Sequence, residues 1–393
     1  MNATDPVVIA ARRTPIGTSG GGLRAYTVDE LAAPVLRAAL DDTGLDRVDD
    51  VVLGNVFGPG GNPARVAALR AGLGVDVPGV TVDRQCASGL AAITQAAAQI
   101  CAGEAEVVLA GGVESASTAP HRAWPTDPPT PYPRAPFAPA EFGDPDMGPA
   151  ADVVAAEAGI SRERQDAFAA RSHARAVAAQ REGRFDDELV PLAGLSADER
   201  PRPGFTAERL ARFRPAFTAD GTVTAANSCG VNDGAAAVVV VSERVRARLG
   251  VPGLRLTASA TRGCAPARLG LGAVPAMRAV LSDVGGVRLD AVEFTEAFAG
   301  QVLACLDAVN TDAVNTDAVS TDAGGIDVGG IEESVVSPDG GAIALGHPWG
   351  ASGAVLVVRL FARLVAQGRG NTGLAALSSG GGIGVATMWT VVR

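Results

Sequence analysis

Short β-branched runs alternate with alanine- and leucine-rich stretches through the first 115 residues, and this rhythm limits the fold more than any other feature. The runs at 7–10, 51–53, 80–83 and 107–110 are separated by stretches with helical character, such as 31–42 and 89–102. Strand, helix, strand at this spacing predicts a parallel sheet with crossover helices. The rhythm resumes near residue 235 and runs to the end, with an internal echo. Ala87-Ser88-Gly89 opens a helix that leads to the strand at 107–110 and then Gly111-Gly112; Ala351-Ser352-Gly353 opens another, leading to 374–377 and then Gly380-Gly381-Gly382. Two related βαβ-type halves account for the matching order.

The segment at 120–149 breaks this pattern. It holds ten of the chain's 25 prolines, and neither helix nor strand is expected to survive that density. A helix from 162 to 181 follows, with Ser161 placed as its N-cap. His173 lies within it and reads as a surface residue. At 307–326 a five-residue repeat, Asp-Ala-Val-Asn-Thr, recurs and decays. It lacks the closing Glu and dense Asp/Asn/Gly alternation of a calcium loop, so a solvated surface loop is expected.

Composition removes whole classes of chemistry. All 33 basic residues are arginine, and the net charge is −10. Without lysine there is no Schiff base, no pyridoxal phosphate anchor and no P-loop lysine. The acidic balance argues against nucleic acid or an anionic membrane as partner. Five cysteines with no CxxC spacing indicate neither a zinc site nor a disulfide framework, and no metal ligand set stands out. The N-terminus lacks the marks of a signal peptide, and the longest apolar run, near 235–241, is far short of a membrane span. A cytoplasmic protein with reduced thiols is expected.

Two positions invite chemistry. Cys86 lies between a strand and a helix, where unpaired N–H groups and the helix dipole favour thiolate over thiol; a small buried filler is the ordinary alternative. His347 sits among Gly340, Gly341, Gly346, Gly350 and Gly353, with Pro348 stiffening the turn. His121 has no evident partner. The triplet Gly380-Gly381-Gly382 offers bare N–H groups to an oxyanion, or is simply a tight turn. Gly350-Ala351-Ser352-Gly353-Ala354 departs from the G-x-S-x-G elbow of serine hydrolases at its last position.

Nine ordered blocks now make a resemblance specific. They are Arg12-Arg13-Thr14-Pro15-Ile16-Gly17, the Cys86 segment, Gly111-Gly112-Val113-Glu114-Ser115, Gln165-Asp166-Ala167-Phe168-Ala169, Arg214-Pro215-Ala216-Phe217, Asn232-Asp233-Gly234-Ala235-Ala236, Glu296-Ala297-Phe298-Ala299, the His347 segment and the Gly380 triplet. Over nearly its whole length the sequence resembles the thiolase family of acetyl-CoA acetyltransferases and 3-ketoacyl-CoA thiolases. The resemblance implies duplicated βαβαβαββ halves in a five-layered αβαβα body. It divides the chain into an N-terminal half (1–115), an inserted loop domain that returns to that half at its end (116–230) and a C-terminal half (250–393). It also implies a homodimer or homotetramer, and acyl-CoA and CoA as substrates with no permanently bound cofactor.

Carried across by residue, Cys86 resembles the nucleophile and His347 its base, with the Gly380 and Cys86 N–H groups as an oxyanion hole. Met147, Arg202, Phe217 and Phe298 match positions along the CoA path, and Cys229 stands where the family has a serine near the pantetheine. The family's second catalytic cysteine is Ser378 here, and a hydroxyl is a poor substitute for a thiol in moving the α-proton. The asparagine that helps hold an oxyanion-binding water is Thr295. The family's His before Met-Gly is Asp146. These departures leave three readings: acyl transfer to a second acyl-CoA or CoA, transfer to an oxygen, nitrogen or water acceptor, or a non-catalytic relative.

Overall fold

The computed structural model describes residues 2–285, 287–317 and 330–393. The N-terminal half consists of β1 (Pro6–Arg13), α1 (Val28–Asp41), β2 (Asp50–Gly54), α2 (Pro63–Arg70), β3 (Val80–Val82), α3 (Ser88–Ala102) and β4 (Val107–Ser115). The chain then leaves the sheet through α4 (Met147–Glu157) and α5 (Arg162–Arg181), and returns as β5 (Asn232–Ser242) between β1 and β4. That half therefore reads βαβαβαββ, with β2 parallel to β3 and β4.

The C-terminal half runs β6 (Gly253–Gly263), α6 (Ala273–Val284), β7 (Ala291–Phe294), α7 (Ala299–Asp317), α8 (Trp349–Phe361), β8 (Thr372–Ser379) and β9 (Ile383–Val392). Its third strand is reduced to a single parallel bridge between Val292 and Val336, so the duplication is incomplete there. The two sheets join at one edge through two residue pairs, Val7 with Arg255 and Val8 with Leu254.

The five layers follow from which face of each strand meets which helices. Val52, Ala375 and Leu377 face a core shared with Leu90 and Ile93 of α3 and Val357 of α8. Their strand neighbours Val51 and Leu53 pack with Leu31 and Leu36 of α1, while Leu374 and Ala376 pack with Met277 of α6 and Leu303 of α7. Each sheet is thus buried on both faces, which is why its strands read as apolar runs rather than alternating ones.

Helices α3 and α8 fill the space between the sheets, and the echoed glycines mark where they cross. A Cβ on Gly89 would sit 2.8 Å from Ala354 N, and one on Gly353 would sit 2.4 Å from Leu90 N. The second helix begins at Trp349, two residues before the sequence echo suggests. Among the described residues, Trp349–Ala366 is long and apolar enough to cross a membrane, a longer stretch than the run at 235–241; its place between two sheets accounts for that composition.

Several sequence expectations need correction. The proline-rich segment does carry regular structure, since Arg122–Trp124 pairs antiparallel with Thr130–Tyr132 and Ala140–Phe142 makes one helical turn. Helix α5 has the expected bounds, and Ser161 Oγ accepts from Arg164 N at 3.2 Å. His173, however, is buried, and its Nδ1 accepts the Arg202 N–H at 3.2 Å. The first copies of the repeat extend α7 to Asp317 rather than forming a loop; residues 318–326 lie outside the described residues.

Candidate active site

Cys86 is placed by a tight turn between β3 and α3. Gln85 adopts φ of 50°, the left-handed region that few non-glycine residues enter. Ser88 clamps this turn, its Oγ accepting from Arg84 N at 2.8 Å and donating to Gln85 O at 2.6 Å. Ser379 Oγ donates to Arg84 O at 2.8 Å, which ties the Gly380 turn of the other half to the Cys86 loop.

His347 reaches the same place from the C-terminal half. Gly346 precedes it at φ of 116°, where a Cβ would lie 2.6 Å from the Asn232 side chain; only glycine fits both demands. Asn232 Oδ1 accepts the His347 N–H at 2.9 Å, and its Nδ2 donates to Gly17 O at 2.9 Å. The imidazole Nε2 is then 3.3 Å from Cys86 Sγ, and Nδ1 is 2.6 Å from Ser352 Oγ. Ser352 donates its own proton to Pro348 O at 3.1 Å. With that proton on Pro348 O, Ser352 Oγ accepts from Nδ1–H, and in this tautomer the Nε2 lone pair faces the thiol. The sequence shows Ser352 only as part of the echo and of a near-match to a hydrolase elbow, without this role; its place in the first turn of the helix after the histidine is the signal for it.

Burial, reinforced by nearby Cys229, pushes the Cys86 thiol up to about 12. Burial pushes His347 down to about 4. The helix N-terminus therefore does not deliver a resting thiolate, against the expectation from sequence: the cost of a charge within the protein outweighs the dipole. The pair rests as neutral thiol and neutral base in hydrogen-bond contact. Thiolate forms when the proton crosses to Nε2.

The other marked residues divide. Met147 Cε and the Phe137 ring each lie 3.2 Å from where a Gly380 Cβ would be. Phe217 stacks edge-on against Phe298 at 6.0 Å and covers Gly148. Ser228 bridges to Phe298, and Cys229 N donates to Ala297 O at 2.9 Å. Met147, Phe217, Phe298, Cys229 and Gly380 thus form one connected wall. Arg202 is exposed, its Nη1 donating to Glu199 O at 3.3 Å. Asp146 is paired with Arg134, and His121 is exposed.

Ser378 is engaged away from Cys86 and His347. Ser378 Oγ donates to Gly270 O at 2.7 Å and accepts from Ala273 N at 2.9 Å, with Gln301 Nε2 at 3.3 Å. It caps the first turn of α6. Thr295 is buried, and its Oγ1 has no hydrogen-bond partner among the described residues. Glu114, which sequence reading left without a role, accepts from Val56, Phe57 and Gly350 N–H groups at 3.0–3.2 Å, pinning the start of α8 to the N-terminal half. Burial pushes its carboxyl up to about 7.

A two-sheet α/β body in which each half supplies one member of a thiol–imidazole pair defines an enzyme class built for chemistry at cysteine. Comparison with known proteins makes that class specific. Residues 6–244 match the thiolase N-terminal domain and residues 252–391 the thiolase C-terminal domain. A putative acetyl-CoA C-acetyltransferase of Bacillus subtilis is 41% identical across 100% of both chains. The crystal structure of the Bacillus anthracis acetyl-CoA acetyltransferase superposes with a TM-score of 0.87 at 36% identity, covering 99% of each chain. Human mitochondrial 3-ketoacyl-CoA thiolase in complex with CoA gives 0.86 at 33% identity over 100% of both. The chain belongs to the thiolase family, and it is an acyltransferase.

Proposed function

We propose that Cys86 takes the acyl group of an acyl-CoA as a thioester and passes it to a second acyl-CoA or to CoA. The observation that carries this reading is the 3.3 Å approach of His347 Nε2 to Cys86 Sγ, with Nδ1 held by Ser352. In acylation the Cys86 sulfur attacks the thioester carbonyl while its proton moves to Nε2. The tetrahedral intermediate then expels the CoA sulfur, which takes that proton from the imidazolium. The Gly380 and Cys86 N–H groups are assigned to the developing oxyanion. The wall of Met147, Phe217, Phe298 and Cys229 is assigned to the pantetheine arm, and Arg202 to a phosphate of CoA.

The position of Ser378 favours a second reading. Its hydroxyl is committed to Gly270 O and Ala273 N, so the α-proton transfer needed for carbon–carbon chemistry has no free group there. Transfer from Cys86 to an oxygen, nitrogen or water acceptor needs no such group.

Intact-mass measurement after mixing with acetyl-CoA tests the acyl-enzyme: a 42-dalton gain, absent in Cys86→Ala, is expected for an acetyl group replacing a proton (about 43 minus 1). No gain would leave a non-catalytic relative. Thiolysis of acetoacetyl-CoA by CoA then separates the two acceptor readings.

A further inference from the structure

On the Ser352 side of His347 lies a cavity that none of Cys86, His347 or Ser378 lines. It offers about 20 Å³ to the centre of a water-sized sphere, above the roughly 10–15 Å³ that one water needs. Glu293, Thr295, Ser352 and Arg359 form its polar wall, with Gly341 and Gly346 closing it. The arrangement follows from periodicity. Glu293 and Thr295 are two residues apart and share a face of the extended chain at β7; Ser352 and Arg359 are seven apart and share a face of α8.

Three of these lining side chains carry a buried polar atom with no hydrogen-bond partner among the described residues: Thr295 Oγ1, Glu293 Oε1 and Arg359 Nε. One donor and two acceptor-capable oxygens around a water-sized space match the three bonds that a buried water typically makes.

We propose that this cavity binds one internal water, held by Arg359 Nε–H, Glu293 and Thr295, and that Glu293 thereby acts as a positioning residue for His347 through Ser352. The assignment rests on the acyl-transfer reading of His347. Ser352 belongs both to the cavity wall and to the Nδ1 hydrogen bond, so a charge on Glu293 is felt at the imidazole. Burial pushes the Glu293 carboxyl up to about 8; Arg359 and Arg363 work against that shift, while Asp339 and Glu188 add to it, and Arg175 also faces the group. Below that pH Glu293 is neutral. Above it, a negative charge behind Ser352 favours the imidazolium that forms when His347 takes the Cys86 proton.

Glu293→Gln copies the neutral acid and cannot ionise. The ratio of parent to variant rates of Cys86 acetylation is expected to stay constant below pH 7 and to rise about threefold or more by pH 9. A flat or falling ratio overturns the proposal. A crystal structure at high resolution is expected to place one water within hydrogen-bond distance of the three atoms, and a cavity holding none also overturns it. Should Glu293→Gln fail to fold, Thr295→Val serves instead. Loss of a water partner lowers its melting temperature, whereas a variant at least as stable as the parent means that the hydroxyl had no water to bond. Acetylation of Cys86 in the parent protein reports on the acyl-transfer reading separately, so the two can fail independently.

Discussion

Ser352 Oγ stands 2.6 Å from His347 Nδ1 and 3.1 Å from Pro348 O, so in the tautomer that leaves Nε2 basic the serine accepts from Nδ1–H while donating to the carbonyl. Ser352→Ala removes that acceptor and leaves the Nδ1 proton without its partner. As His347 becomes imidazolium this hydrogen bond turns charge-assisted, worth about 1.5–3 kcal/mol. Acetylation of Cys86 is therefore expected to slow by roughly 10- to 100-fold, read as the rate of adduct appearance by mass. An unchanged rate would mean that the imidazole keeps its orientation without Ser352.

Two histidines should make the protein acid-sensitive at a higher pH than its carboxylates alone. Burial lowers His347 to about 4, and burial together with Arg200 and Arg202 lowers His173 to about 4. The folded state favours neutral imidazole, so between pH 6.5 and 4 the unfolded chain binds more protons. Stability is then fully present above about 6.5 and falls as the pH drops towards 4. At pH 5 each histidine is expected to cost roughly 1–2 kcal/mol. Urea titrations at pH 7.5 and 5 measure the sum, and His173→Gln should remove about half of the difference.

What could be read in the sequence is what local pattern controls. The strand and helix alternation, the Ser161 cap and the paired glycines at 89 and 353 each depend on a few neighbouring residues, and each appears in the expected place. Cys86 and His347 stood out because special turns surround them. The misreadings concern burial, which is a property of the whole fold. His173 lies on a polar-looking helix but is covered by the segment carrying Arg202. The Cys86 thiol was expected to be acidic from its helix position, and the surrounding protein reverses that. The engagement of Ser378 with Gly270 and Ala273 joins residues more than 100 positions apart.

The crossing of α3 and α8 sets two known effects against each other. Replacing a mid-helix glycine by alanine ordinarily stabilises by about 1 kcal/mol. At Gly353 the new methyl would sit 2.4 Å from Leu90 N, which is backbone and cannot swing away. Overpacking of this kind costs about 1–3 kcal/mol or more, and it also pushes apart the helices that start beside Cys86 and His347. Gly353→Ala is therefore expected to lower stability in chemical denaturation and to slow acetylation together. A stabilised variant would show that the two helices can separate freely.

Ser378→Cys asks which acceptor the site serves. The serine hydroxyl bonds Gly270 O at 2.7 Å and Ala273 N at 2.9 Å; a thiol is a weaker donor and acceptor and longer, so the variant is expected to lose about 1 kcal/mol of stability. That loosening frees the sulfur to move. A thiol has an ordinary pKa near 8.5, far nearer neutrality than a hydroxyl, and so can exchange a proton with an α-carbon where serine cannot. If Cys86 passes its acyl group to a second acyl-CoA or to CoA, the variant should cleave acetoacetyl-CoA faster than the parent, with formation of the acyl-enzyme from acetyl-CoA unchanged. If the variant acylates normally yet gains no thiolysis, the geometry around the acyl-enzyme does not present an α-carbon to position 378. The natural acceptor is then an oxygen, nitrogen or water nucleophile.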